Sequence, residues 1–399
     1  MPAAATPPRP IDLERARAET PGCAAVLHLN NAGAALMPTP VLQAVRGQLA
    51  LESQIGGYEA AERVHARSEA CYDSVARLLG CRREEVAFVE NATRAWDMAF
   101  YAFRFARGDR ILTSVAEYAS NYIAFLQVAR HTGALVEPVP NDESGQLDVA
   151  ALERLLDRHV KLIAITHVPT NGGLVNPAAA VGRVARAAGV PFLLDACQSA
   201  GQLALDVDAL GCDLLSATGR KYLRGPRGTG FLYVRESLLE HLEPPFLDLH
   251  AATWTAPDAY TVRADARRFE TWEFNVADRL GLGAAVDYAL GWGLQAIEAR
   301  VKALAETLRG LLARLPGVQV RDLGAERCGI VTFTAEGHDP AGLKAALAQR
   351  GINVTAASPA GALLDMRARG LTGLVRASVH YYNSEAELER FATVLRELL

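Results

Sequence analysis

Ser216-Ala217-Thr218-Gly219-Arg220-Lys221-Tyr222-Leu223-Arg224-Gly225-Pro226-Arg227-Gly228-Thr229-Gly230 decides how this chain is read. One lysine, Lys221, sits in a glycine-rich turn that follows an apolar run and precedes another. Further upstream, the short apolar segment Phe192-Leu193-Leu194 closes on Asp195. A carboxylate at the end of an apolar strand is costly to desolvate unless a cation accompanies it. The turn lacks the GxxxxGK[ST] pattern of nucleotide-binding loops, although a lysine that simply contacts phosphate is the plainer alternative.

Working outward, strand-length apolar runs alternate with helical stretches. Strands are expected at 86–90, 110–114, 136–139, 162–166, 191–195, 214–217 and 230–234, and helices at 94–104, 121–131, 149–158 and 177–188. The alternation predicts an α/β fold: a mostly parallel, seven-stranded sheet flanked by helices. A long helix is expected over 279–315, stopped by Pro316-Gly317. Short strands at 318–321, 329–334, 353–355 and 375–379, with helices at 340–350 and 385–398, predict a smaller α+β C-terminal domain. The expected division is a flexible leader 1–25, a large domain 26–279 and a small domain 280–399, on which the N-terminal segment can pack.

In such sheets ligands bind beyond the carboxyl ends of the strands. Asp195 and Lys221 there match what pyridoxal 5'-phosphate (PLP) requires: a lysine to form the Schiff base and a carboxylate to keep the pyridine nitrogen protonated. Glu90-Asn91-Ala92-Thr93 follows a strand and opens a helix, so its free amides favour a phosphate, with Thr93 adding a hydroxyl and Thr218 a second. Asn91 also reads as a plain N-cap. Tyr118 can stack on the ring or sit in a surface loop. Asn171 and Gln198 can reach the ring hydroxyl, although Asn171 also reads as a turn residue before Gly172-Gly173. Once substrate displaces it, Lys221 becomes the proton carrier at the α-carbon.

The chain has 399 residues, half of them hydrophobic, and a formal net charge of −4, which favours neither a nucleic-acid nor an anionic-membrane partner. It has no run of eighteen apolar residues to span a membrane. MPAAATPPRP lacks a signal-peptide core, and six scattered cysteines show no zinc spacing, so reduced thiols, no metal and a cytoplasmic location are expected.

Together these residues resemble the class V aminotransferase family, the cysteine-desulfurase-like branch of the fold-type I PLP-dependent transferases. The resemblance runs from Leu29-Asn30-Asn31-Ala32-Gly33 to Val375-Arg376-Ala377-Ser378 and is most specific in Asp195-x-x-Gln198 and Arg220-Lys221. It implies Lys221 as the Schiff-base lysine, Asp195 on the pyridine nitrogen, and Gln198 and Asn171 on the ring oxygen. It implies Ala92, Thr93 and Thr218 on the phosphate, and Arg376 on a substrate carboxylate, with Ala32 and Gly33 on the substrate side. It further implies a homodimer with sites at the interface, where Thr271, Trp272 or Glu273 would serve the phosphate or the entrance.

Three departures stand out. Arg220 replaces the usual His, which makes it a candidate partner for the phosphate. Tyr118 replaces the stacking His. Residues 353–362, where desulfurases hold their persulfide-forming cysteine, contain none. The closest subgroup is the isopenicillin N epimerase-like and ergothioneine C–S lyase-like one. The expected function is therefore a C–S (β-elimination) lyase of a sulfur-substituted amino acid. An aminotransferase or epimerase, with Tyr118 as second proton carrier, and a non-catalytic PLP-binding protein are the alternatives. Substrate size is expected to depend on loops near 56–60, 249–260 and 358–366.

Overall fold

In the computed structural model, which describes residues 10–399, the apolar runs between residues 86 and 234 pair into one seven-stranded sheet. Its order is Val86–Val89, Gly230–Val234, Leu214–Thr218, Phe192–Asp195, Val160–Thr166, Arg110–Ser114, Leu135–Val139. Phe192–Asp195 and Leu214–Thr218 are buried at every position, which is why they read as unbroken apolar runs. Gly230–Val234 runs antiparallel to both neighbours, and the other pairs are parallel. The turn 219–229 is too short for a helical crossover, so the returning strand must pair antiparallel. Register aligns Thr166 with Asp195 and Asp195 with Ser216, bringing their carboxyl ends to one edge.

The C-terminal part of the chain forms a four-stranded antiparallel sheet in the order Val318–Val320, Ile330–Ala335, Leu374–Ser378, Thr355–Ala357. Helices Leu294–Ala313 and Glu385–Leu398 pack on each other and on this sheet's apolar side. Ser384 and Glu387 form a reciprocal capping box that starts the last helix.

Four sequence expectations change. The expected helix 279–315 is two helices, Val276–Trp292 and Leu294–Ala313, broken at Gly293 with φ 86°. The first packs on Thr39–Ile55 and His65–Leu79, so the 279/280 boundary falls inside a helix and the chain turns at Gly293. The expected leader 1–25 lies partly outside the described residues, but Leu13–Ala18 is a helix capped by Asp12, with Ala16 and Thr20 buried. Arg17 fixes that helix to the C-terminal lobe through the Tyr382 carbonyl (3.1 Å) and Glu387 (2.9 Å). The expected loops contain helix Gly57–Arg63, hairpin Ala252–Ala256/Ala259–Val262 and helix Leu363–Ala368. Among the described residues no helix is long and apolar enough to cross a membrane.

Candidate active site

The carboxyl edge of the large sheet opens into a cavity of about 390 Å³, and Lys221 lines it. The turn carrying the lysine is pinned on both sides. Gly225 N donates to Gly219 O (2.8 Å) and Arg224 N to Lys221 O (2.9 Å). Arg224, at φ 63°, buries its guanidinium against the Leu36 carbonyl (2.8 Å), Tyr381 Oη (2.6 Å) and Thr20 Oγ1 (2.5 Å). Gly219 has no room for a side chain, because a Cβ there would collide with Thr229 Oγ1 and Leu282.

Asp195 faces the same space. Its Oδ2 accepts from Asn121 Nδ2 (2.9 Å) and its Oδ1 from the Cys197 amide (2.8 Å). Burial pushes its pKa up, while the Asn121 bond, the Cys197 amide and the Lys221 charge pull it down. Among the described residues no cation forms an ion pair with it, so its remaining lone pairs suit a cationic N–H.

The phosphate candidates lie at the start of helix Ala92–Phe100. Asn91 is its N-cap, accepting from Arg94 N (2.9 Å), as the plainer sequence reading had it. That leaves the first amides, of Ala92 and Thr93, without a protein partner among the described residues. A Cβ on Gly230 would lie 2.7 Å from Ala217 O and 2.7 Å from the Asn91 carbonyl carbon, so glycine alone lets this helix start seat on the strand ends. Thr218 lines the cavity with its hydroxyl donating to Thr229 O (3.1 Å). Arg220 also lines it and donates to Gly33 O.

Tyr118 lines the mouth, 39% exposed, at the start of helix Ala119–Thr132. Gln198 donates to Ala32 O (3.1 Å), and its buried Oε1 has no partner among the described residues. An orphaned amide oxygen, a carboxylate without a cation, two free helix amides and a lysine on one small cavity fit PLP as a donor set.

Other sequence candidates sit differently. Asn171 does not line the cavity; it is buried in a turn with its carbonyl 3.4 Å from Arg369 Nη1, and Thr170 takes the wall position instead. Ala32 and Gly33 back the site through Gln198 and Arg220 rather than lining it. Arg376 stands behind Thr170, donating to its carbonyl (3.3 Å) and Oγ1 (2.5 Å). The Arg376 Nε has no partner, and among the described residues no carboxylate pairs with this buried guanidinium, whose pKa burial lowers. Trp272 and Glu273 face a separate groove with Tyr58 and Phe274, and Thr271 borders a third cavity.

Sequence reasoning missed Asn121, Thr166, Val168, Thr170 and Cys197 on the cavity wall. The available signals were the polar Asn121 in the first turn of a helix and the i+2 spacing of Cys197 from Asp195.

The model of class V aminotransferases matches residues 27–391. The chain belongs to the class V aminotransferase family. Its members are PLP enzymes, and this is a class V PLP-dependent enzyme of fold type I. A probable cysteine desulfurase of Xylella fastidiosa (strain Temecula1) is 32% identical, covering 98% of this chain and 96% of that one. A probable cysteine desulfurase of Methanothermobacter thermautotrophicus is 29% identical, covering 93% and 94%. The apo cysteine desulfurase of Thermococcus onnurineus NA1 superposes with a TM-score of 0.91 at 29% identity, covering 98% of this chain and 99% of that one.

Proposed function

We propose that this class V enzyme is a C–S lyase that cleaves a sulfur-substituted amino acid by β-elimination. The observation that carries the reading is the convergence of Lys221, Asp195 and the Ala92–Thr93 helix start on one cavity, with Arg376 buried behind it and lacking a carboxylate. Bound PLP supplies an electron sink at the substrate α-carbon. Ala92 and Thr93 amides would hold its phosphate and Asp195 its ring nitrogen. Arg376 would take the substrate α-carboxylate through a charged, forked hydrogen-bond pair. The freed Lys221 amine would remove the α-proton, and the β C–S bond would then break, the sulfur leaving as thiol after protonation and the remaining enamine being hydrolysed by water to a 2-keto acid and ammonia.

The choice of lyase over desulfurase is supported by the thiols. Residues 353–362 hold no cysteine. Cys328 is fully buried and burial pushes its thiol up to about 11, so it is a poor nucleophile. Cys197 is the cysteine that lines the cavity, and burial raises its pKa too.

A homodimer belongs to the same proposal. Tyr58 and Trp272 line one exposed groove and Leu249, Trp254 and Tyr260 another, with Trp254 79% and Tyr58 75% exposed. Exposed aromatic surface of this kind marks an interaction face.

The deciding experiment incubates the PLP-loaded enzyme with a panel of amino acids in deuterated water and follows products by NMR. Keto acid with released thiol or sulfide is expected. Keto acid with aminated cofactor and an intact side chain would mean transamination, and α-deuteration with inversion would mean epimerisation.

A further inference from the structure

Glu117 is buried, yet among the described residues no cation forms an ion pair with it. Six donors converge on its carboxyl. Oε2 accepts from Thr113 Oγ1 (3.0 Å), Ser114 Oγ (3.4 Å) and the Thr166 amide (2.9 Å). Oε1 accepts from the Tyr118 amide (2.9 Å), Asn121 Nδ2 (2.9 Å) and Thr166 Oγ1. This one side chain therefore ties the ends of strands Arg110–Ser114 and Val160–Thr166 to the helix start that carries Tyr118.

Asn121 extends the network. Its single amide nitrogen donates to Glu117 on one side and to Asp195 Oδ2 (2.9 Å) on the other. An amide nitrogen carries two hydrogens, so both are used. With a carboxyl on each side, the opposite amide orientation would set the Asn121 oxygen against two acceptors. Glu117 thus fixes which end of Asn121 faces Asp195.

We propose that Asn121, oriented by Glu117, holds Asp195 ionised and aimed at the cofactor's ring nitrogen, both acting as positioning residues. Without Asn121, a buried carboxylate loses one of its two protein donors and takes up a proton more readily. A protonated Asp195 could no longer serve as anionic partner of a pyridinium. Glu117 acts one step back, and through the Tyr118 amide it also fixes the start of helix Ala119–Thr132, where the aromatic residue sits. The inference rests on PLP occupying this cavity with its nitrogen on Asp195.

The test measures equilibrium affinity for two probes, PLP and its 1-deaza analogue, in which C–H replaces the ring nitrogen. Wild type, Asn121→Ala and Glu117→Gln are compared, with far-UV circular dichroism as the fold control. Asn121→Ala should weaken PLP about 10- to 100-fold, as expected for one charged hydrogen bond. Its effect on the deaza analogue should stay within about threefold. Glu117→Gln loses the acceptor that orients Asn121 but also relieves a like charge near Asp195, so it should show the same selectivity at smaller size, and Asn121→Ser, which keeps a donor, should recover part of the loss. Asn121→Ser also replaces the alanine variant should the latter not fold. Equal weakening of both probes, or none, would overturn the inference. A wild type that binds both probes equally would overturn the placement of the ring nitrogen on Asp195 and this inference with it.

Discussion

Lys221 and Arg376 do different work at the residue scale, and their substitutions separate. Lys221→Ala should remove both turnover and the visible absorption of bound PLP, because no other lysine lines the cavity; an absorption spectrum and a product assay check this. Arg376→Lys keeps the charge but loses the fork. It should raise KM for an α-carboxylate substrate roughly 10- to 100-fold with a smaller effect on kcat, read from steady-state kinetics. Lys221, Asp195 and Gln198 were legible because each announces itself locally: a lysine in a glycine turn, an acid closing an apolar strand, and an amide three residues on. Asn171 was not, because it and Thr170 sit in one irregular turn. There a shift of one residue decides which side chain meets the cavity and which carbonyl meets Arg369.

At the scale of elements, strand limits followed from apolar runs, and Arg110–Ser114 and Gly230–Val234 match their expected bounds. Helix continuity did not follow. Apolar residues continue across Gly293, so nothing in the periodicity marks the break that its positive φ imposes. Gly293→Ala, with open space around it, should cost about 1–3 kcal/mol from backbone strain alone, seen as a lower urea midpoint with turnover retained. Gly230→Ala differs in kind. Its Cβ would press on Ala217 and Asn91, pushing the helix start off the strand ends. It should weaken PLP retention on dialysis about tenfold or more, as small shifts in an anion site do.

Over the whole molecule, two buried histidines give the stability a pH dependence. Burial lowers His167 from 6.5 to about 4, and it pushes His380 well below its ordinary value. The unfolded chain gains a proton as pH falls through 6.5, whereas folded His167 stays neutral until about pH 4. The contribution is complete above pH 6.5 and is lost as pH falls toward 4. Between pH 7 and pH 5 His167 should account for about 2 kcal/mol of lost stability, and His167→Asn should flatten that slope in denaturant titrations. Light scattering of the purified protein checks the homodimer, and a monomer at micromolar concentration would refute it.

The sequence by itself determined the α/β alternation and singled out Lys221 and Asp195, which the fold brings to one cavity, because propensity, apolar runs and strand-end chemistry are local properties. Only the tertiary structure decided the Glu117–Asn121–Asp195 network, the docked helix Leu13–Ala18 and the carboxylate-free burial of Arg376. Each of these depends on groups far apart in the chain meeting in a low-dielectric interior. There, hydrogen-bond satisfaction and desolvation, rather than neighbouring residues, set the outcome.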